Sequence, residues 1–137
     1  MMRLRDRNLL EHIQEYCNEV EISTQRFGPS FDTFQNDQDY QRSVAMSIMQ
    51  IGELVGNFTE EFIYEHKEKP WHEMRGMRNV VAHKYGQLDK ETLWETAVND
   101  IPDLKEYCET LLNREIEEEE TMDVKDFDPP EETGPRP

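Results

Sequence analysis

Apolar residues recur at helical spacing over most of this 137-residue chain, and this pattern constrains the fold more than any other feature. The clearest stripe advances by four, three, four and three residues, through Val44, Ile48, Ile51, Val55 and Phe58. Such steps place side chains on one face of an α-helix. Runs of β-branched residues and the Asn-Gly or Asp-Gly pairs typical of hairpins are missing. The sequence therefore predicts an all-α fold, an up-and-down bundle of four or five helices.

Glycine and proline divide the helical pattern into segments. The pair Gly28 and Pro29 ends the first helix, and a second helix spans roughly residues 37–58. After a short helical turn, Pro70 suits the first position of a third helix, because the missing N–H of proline costs nothing there. Gly86 is expected to stop this third helix.

The last helix is expected to run from near Asp89 to about Asn113. Its apolar stripe keeps the same phase on both sides of Pro102, which predicts one kinked helix rather than two separate ones. In the second helix, Gly52 and Gly56 form a line of small residues beside the apolar stripe. Such a line allows close approach of a neighbouring helix, from the same chain or from a second copy.

The carboxyl-terminal segment differs in composition from the rest. Residues 114–137 hold ten acidic residues, three basic residues and four prolines. This segment carries a net charge of −7, so −9 of the formal net charge of −16 falls on residues 1–113. We predict a single helical domain at residues 1–113 and an acidic, disordered tail at residues 114–137. The segment EIEEEE could extend the last helix by a turn or two before disorder begins.

Several classes of protein are disfavoured by the sequence. No apolar run approaches the ~18–20 residues of a membrane span, and the basic amino terminus lacks the unbroken apolar core of a signal peptide. We therefore expect a cytoplasmic protein. Cys17 and Cys108 lack the spacing of a metal site, so two buried, reduced thiols are expected, with no metal and no cofactor.

The stretch RGMRNVVAHKYG, residues 75–86, is basic within an acidic chain. Arg75, Arg78 and Tyr85 follow helical steps on one face. His83 lies five residues beyond Arg78, about 140° around an ideal helix, so the two side chains meet only if the helix loosens near Gly86.

An arginine and a histidine together suit phosphodiester chemistry. Arginine holds a phosphate through paired hydrogen bonds, and histidine exchanges a proton near neutral pH. With RNA, the 2′-hydroxyl supplies the nucleophile and a 2′,3′-cyclic phosphate results without a metal. The spacing alone is a weak pattern: His83 could simply be a cation at a helix carboxyl end, and Tyr85 could be a core residue.

The segments IGELVG, KPWHEMRGMRNVVAHKYGQLD and LWETAVNDIPDLKEY together resemble the HepT-like proteins of the HEPN superfamily, and RNVVAHKY fits their Arg-x-x-x-x-His-x-Tyr signature. The resemblance implies a HEPN-type helical homodimer that acts as a metal-independent endoribonuclease toxin. By that analogy Arg78 binds the scissile phosphate and His83 is the general acid and base, with Asn79 and Arg75 in support.

The resemblance also implies a partner. HepT-type toxins pair with an MNT-domain nucleotidyltransferase antitoxin, which transfers AMP from ATP to the tyrosine of the signature, here Tyr85. RNA would be the substrate, with no role for DNA or a membrane. A body charge of −9 suits RNA binding poorly. One alternative, which tolerates this charge better, is a non-catalytic substrate-binding subunit of a nucleotidyltransferase complex. Another is a purely structural helical adaptor.

Overall fold

The computed structural model describes residues 2–126, and every regular element in that range is helical. Two of these elements are not α-helical: a 3₁₀ turn at Tyr85–Gln87 and a π-helical turn at Thr96–Asp100. The α-helices are α1 (Leu4–Phe27), α2 (Phe31–Gln35), α3 (Gln38–Val55), α4 (Glu60–Glu65), α5 (Trp71–Lys84), α6 (Lys90–Glu95) and α7 (Ile101–Asp126). The prediction of an all-α bundle is confirmed.

Helix α3 lies at the centre of the bundle. It packs against α1 on one side and α5 on the other, and α1 also packs along α7. The apolar stripe predicted on α3 is buried throughout, and it faces buried residues of α1 and α7 such as Leu10, Ile13, Leu104 and Cys108. Burial of this continuous apolar surface is the main force holding the helices together.

The glycine line on α3 allows close packing within the chain. A Cβ added to Gly52 would lie 2.5 Å from Cβ of Arg78 and 2.7 Å from the carbonyl oxygen of Met74, so only glycine fits beneath α5. Gly56 is covered by the guanidinium of Arg75. Of the two interpretations of the glycine line, packing within the chain is the one found. Gly52 is buried by this packing, whereas Gly56 is exposed, and its part in a contact between copies stays a prediction.

The short helix α2 was not predicted, because five residues are too few to show a periodic pattern. It begins after Ser30, whose hydroxyl accepts a hydrogen bond from the backbone N–H of Thr33. Phe34 is fully buried, and the amide of Gln41 donates to the Phe34 carbonyl at 2.8 Å. Tertiary contacts thus stabilise a helix that has little stability of its own.

The last helix follows the predicted path but with a specific irregularity. The π-helical turn ends just before α7, and Pro102 is the second residue of α7. Proline cannot donate a backbone hydrogen bond and its ring crowds the preceding turn, and a widened turn accommodates both effects. The interpretation of one irregular helix that continues across Pro102 is confirmed.

Helix α7 continues to Asp126, well past the expected domain boundary at residue 113. Glu115 is 4% exposed and accepts hydrogen bonds from the backbone N–H of Met2, and Arg7 forms an ion pair with Glu119. These contacts hold the acidic segment against the start of α1. Helix α7 itself continues to Asp126, and the rest of the tail predicted to be disordered, residues 127–137, lies outside the described part of the chain.

Among residues 2–126, no helix combines the length and the apolar character needed to cross a membrane.

Candidate active site

The basic stretch lies on α5 and on the 3₁₀ turn that follows it. The start of α5 is anchored: Trp71 is 6% exposed, and its indole N–H donates to the His66 carbonyl at 2.8 Å. Val81 is the last buried residue of the helix, and positions 82–87 are all exposed. The helix therefore carries its carboxyl-terminal residues out of the core and into solvent.

Arg78 is held by a carboxylate that the sequence reasoning missed. Its Nε lies 2.7 Å from Oε2 of Glu53 on α3, and one Nη donates to Oδ1 of Asn79 at 3.2 Å. The Nε–H does not point at the Glu53 oxygen, so the contact is an ion pair without a well-aligned hydrogen bond. The Arg78 side chain is 30% exposed and so remains reachable from solvent. Glu53 follows Gly52, the residue that lets α5 approach α3 closely. A carboxylate beside this glycine was the sequence feature that could have indicated a partner for Arg78.

The side chain of Arg75, on α5, reaches the carboxyl end of α3. One of its Nη atoms lies 3.5 Å from the Glu53 carbonyl oxygen, and its guanidinium covers Gly56. The last carbonyls of a helix have no partners within the helix and carry partial negative charge, so a guanidinium is favourable there. Arg75 therefore holds α3 and α5 together.

His83 is exposed in the last turn of α5. Within the described part of the chain its side chain makes no hydrogen bond or ion pair. The helix stays regular up to Lys84, where the backbone turns to φ −136° and ψ 30°. The expected loosening of the helix end is therefore found, but it falls after His83. In the described residues no hydrogen bond joins His83 to Arg78, and a meeting of the two side chains within one chain stays a prediction.

Tyr85 opens the 3₁₀ turn and is 36% exposed. The alternative in which it is a core residue is therefore wrong. Asn79 is also exposed and accepts the hydrogen bond from Arg78. Arg78 and Asn79 are thus joined directly, whereas His83 and Tyr85 occupy the free end of the helix.

A separate polar cluster lies at the opposite end of α5. The Tyr107 hydroxyl donates to the Glu68 carboxylate and lies 3.0 Å from Nδ1 of His66. The Tyr107 hydrogen bond lowers the pKa of Glu68, while burial, followed by the contact with Glu68, raises the pKa of Tyr107. His66 is partly buried, with its ring centre 4.4 Å from that of Phe62. This cluster joins the loop before α5 to α7.

The remaining candidate groups are structural. Cys17 and Cys108 are buried free thiols, as predicted, and burial raises the pKa of Cys17 and raises that of Cys108 to about 12. Neither is activated as a nucleophile. In residues 2–126, no three His, Cys, Asp or Glu side chains converge in a way that could hold a metal ion.

A cavity of about 290 Å³ lies between α3, α5 and α7, and Glu53 is not among its lining residues. Its lining contains neither Arg78 nor His83, and it is mainly apolar, with Ile48, Ile51, Met74, Met77, Ile101 and Leu104 among its residues. The candidate active site is therefore an exposed surface at the end of α5 rather than this enclosed cavity.

Comparison with known proteins places these residues in a family. The pattern of the family described as "Ribonuclease HepT-like" matches residues 11–111, a range that contains the whole segment from Arg75 to Tyr85. The chain is 36% identical over 110 residues to "Putative RNase TTE0752" of Caldanaerobacter subterraneus subsp. tengcongensis, covering 80% of this chain and 96% of that protein.

Two archaeal proteins show similar relationships. "Probable ribonuclease HepT" of Thermococcus cleftensis is 34% identical over 110 residues, which is 80% of this chain and 98% of that protein. "Putative RNase MJ0127" of Methanocaldococcus jannaschii is 34% identical over 94 residues, which is 68% of this chain and 78% of that protein. No solved structure gives a significant match.

Proposed function

Since the chain belongs to the family of HepT-like ribonucleases, we propose that it is a ribonuclease that cleaves RNA internally without a metal ion, with Arg78 and His83 as its catalytic residues. One observation carries the proposal. The family match spans the segment that holds Arg78, His83 and Tyr85, and this segment lies on the exposed end of α5. The side chains are therefore accessible to a large polymeric substrate.

The proposed reaction uses the substrate's own 2′-hydroxyl as nucleophile. An imidazole takes the 2′-hydroxyl proton while the 2′-oxygen attacks the adjacent phosphorus. The bond from phosphorus to the 5′-oxygen then breaks, and an imidazolium returns a proton to that oxygen. The products are a 2′,3′-cyclic phosphate and a 5′-hydroxyl. Arg78 would bind the non-bridging phosphate oxygens, where charge accumulates in the transition state.

A homodimer would complete this arrangement. Within one chain, Arg78 and His83 are separated by about 140° around α5, and His83 has no partner in the described residues. Two copies that meet along α5 would bring two His83 imidazoles to one cleft, so one could act as base and the other as acid. Light scattering tests this point: a stable monomer at micromolar concentration would contradict it.

We further propose that Tyr85 is the attachment point for AMP, transferred from ATP by an MNT-domain nucleotidyltransferase that acts as antitoxin in the cytoplasm. In its support, the phenol is partly exposed at the start of the 3₁₀ turn, where another enzyme can reach it. The added phosphodiester would bring negative charge near the basic end of α5 and oppose RNA binding.

The alternative of a non-catalytic substrate-binding subunit keeps one observation in its favour. Glu53 already neutralises Arg78, in a protein whose first 113 residues carry a net charge of −9. A catalytic arginine should be open to a phosphate, so this pairing must be exchanged when RNA binds.

Cleavage of RNA by the purified, unmodified protein in EDTA decides between the two. His83→Ala should lower the rate by roughly 10²–10⁴, the typical contribution of a general acid or base. His72→Ala is the matched control, because His72 is an exposed histidine near the start of the same helix. The catalytic assignment fails if the two variants cleave RNA at the same rate.

A further inference from the structure

Three arginines from two distant segments converge on the carboxyl end of α3. Nε of Arg5, on α1, donates to the Asn57 carbonyl at 2.9 Å. Arg75 lies over Gly56 and reaches the Glu53 carbonyl, and Arg78 is paired with the Glu53 carboxylate. The three contacts thus fall on residues 53–57, about one helical turn. We refer to Arg5, Arg75 and Arg78 as the arginine arc.

Arg5 differs from its neighbours in what it contacts. Arg3 forms an ion pair with Glu61, and Arg7 forms one with Glu119. In the described residues, the contact of Arg5 is a backbone carbonyl, and so is that of Arg75. Within residues 2–121, whose side chains are described, these two positive charges beside Arg78 therefore have no carboxylate partner, in a chain whose formal net charge is −16.

The position of Arg5 is fixed by the residue that follows it. Asp6 is 2% exposed; one carboxylate oxygen accepts from the Thr59 backbone N–H at 2.9 Å, and the other accepts from the Thr59 hydroxyl at 2.6 Å. This buried contact ties the first turn of α1 to the start of α4, just after the end of α3. Arg5 is consequently held beside Asn57 before any ligand binds.

Each guanidinium of the arc keeps donors available. Arginine has five N–H donors, and the contacts of Arg5 and Arg75 each use one. Because one N–H is already anchored on a carbonyl, less side-chain entropy remains to be lost when the other donors bind an anion. A guanidinium binds phosphate oxygens through paired hydrogen bonds, so three guanidinium groups that contact the same short segment suit a ligand with several phosphates.

We propose that the arginine arc binds the backbone phosphates that flank the cleavage position of a single-stranded RNA, with Arg5 and Arg75 each contacting one phosphate beyond the one held by Arg78. This inference rests on the proposed function and extends it, because it adds Arg5, a residue outside the Arg78–Tyr85 segment. It also accounts for RNA binding by an acidic protein, since the positive charge is local.

The salt dependence of binding tests the arc separately from catalysis. A fluorescent 12-nucleotide 2′-O-methyl RNA lacks the attacking hydroxyl, so its binding can be followed by anisotropy over a series of salt concentrations without cleavage. Arg5→Gln and Arg75→Gln should each lower the slope of log Kd against log salt by about 0.7 in magnitude, the value for one contact to a single strand. At low salt each should weaken binding roughly three- to tenfold.

The control is Arg26→Gln, which removes the same charge from the last turn of the same helix. Arg26 lies 21 residues from Arg5, about 31 Å along α1. Arg26→Gln should therefore leave the slope of log Kd against log salt as it is in the parent protein. Arg75→Lys keeps the charge and should restore the slope, even if Arg75→Gln perturbs the contact between α3 and α5. Arg5 is exposed, so its variant is not compromised by folding.

The outcomes separate the two proposals. Equal slopes for Arg5→Gln and Arg26→Gln, or no binding of the 12-mer by the parent at any salt concentration, would overturn the arc. A parallel loss of ATP binding in Arg5→Gln would also overturn it, because it would assign these arginines to a nucleotide. A protein whose 12-mer binding depends on Arg5 but which leaves unmodified RNA intact would retain the arc and refute the ribonuclease.

Discussion

At its amino end helix α5 is enclosed by aromatic rings, whereas its carboxyl end carries polar side chains into solvent. Trp71 lies 5.3 Å from the ring centre of Phe58 and 5.8 Å from that of Phe62, and it also contacts Tyr107. Past Val81 no residue of the helix is buried. The anchored amino end positions the helix, and the part from Arg78 onward presents the residues of the candidate active site.

This division explains how an exposed site can have a defined geometry. Two anchors of α5 lie one or two turns before Arg78: Trp71, and Arg75, which reaches the end of α3. Arg78 itself packs directly on Gly52 of α3. A change at the buried end should therefore alter both stability and activity. A change at the exposed end should alter activity or modification alone.

Removal of the aromatic anchor should have the largest effect on stability. Trp71→Ala deletes a large buried side chain and its hydrogen bond to His66, which should cost on the order of 3–5 kcal/mol in the free energy of unfolding. Urea denaturation measures this cost. Tyr64→Ala is the control, because Tyr64 is 72% exposed on the neighbouring α4 and its loss should change stability by only about 0.5 kcal/mol. Equal denaturation midpoints for the two variants would disprove the anchoring role.

An added methyl group between α3 and α5 should have a smaller effect. In Gly52→Ala the new Cβ meets Cβ of Arg78 and the Met74 carbonyl, so we expect a loss of roughly 1–3 kcal/mol from overpacking. This loss should exceed the gain of about 1 kcal/mol that alanine brings to a helix interior. RNA cleavage should fall as well, because Arg78 is displaced.

Gly76→Ala is the matched control for that variant. Gly76 lies in α5, but an added Cβ there meets no atom within 4 Å, so the same substitution should stabilise the protein by up to about 1 kcal/mol. Thermal denaturation of Gly52→Ala and Gly76→Ala measures the expected loss of stability in the first and the expected gain in the second. If Gly52→Ala is as stable as Gly76→Ala, the close packing of α5 on α3 is not a constraint.

The exposed end should show the smallest effect on stability. Tyr85→Phe removes one partly exposed hydroxyl and should change the unfolding free energy by less than about 0.5 kcal/mol, yet it should abolish AMP attachment. Intact-mass spectrometry after co-expression with an MNT-domain nucleotidyltransferase measures the modification. Tyr64→Phe, at another exposed tyrosine, should still be modified. Adenylylation of Tyr85→Phe would assign the modification to another residue and leave the ribonuclease proposal intact.

Much of the fold could be predicted because helical periodicity is a local property. The stripe on α3, the short helix after it and the irregular last helix all depend on residues a few positions apart. Helix α2 could not be predicted in this way, nor could the part of α7 beyond the EIEEEE extension. Helix α2 is too short to show a period and is held by Gln41 of α3, and the contacts of Glu115 and Glu119 are made with Met2 and Arg7, more than 100 positions away.

The candidate site was predictable to the same extent. The spacing of Arg78, His83 and Tyr85 could be read directly, because these residues lie within eight consecutive positions. Glu53 was not identified, since it lies 25 positions before Arg78 and the packing of α5 over Gly52 brings the two together. Where the helix loosens also required the structure, which places the change at Lys84, after His83.

By itself the sequence determined which segments are helical, which faces are apolar and where the basic stretch lies, because these depend on the order of neighbouring residues. Only the tertiary structure decided which charges meet. Arg5 and Asn57 are 52 positions apart, and their contact exists because the burial of α1 against α3 brings the start of one helix to the end of the other. Apolar burial drives that packing without regard to charge, so the partner of each arginine follows from the geometry of the packed helices.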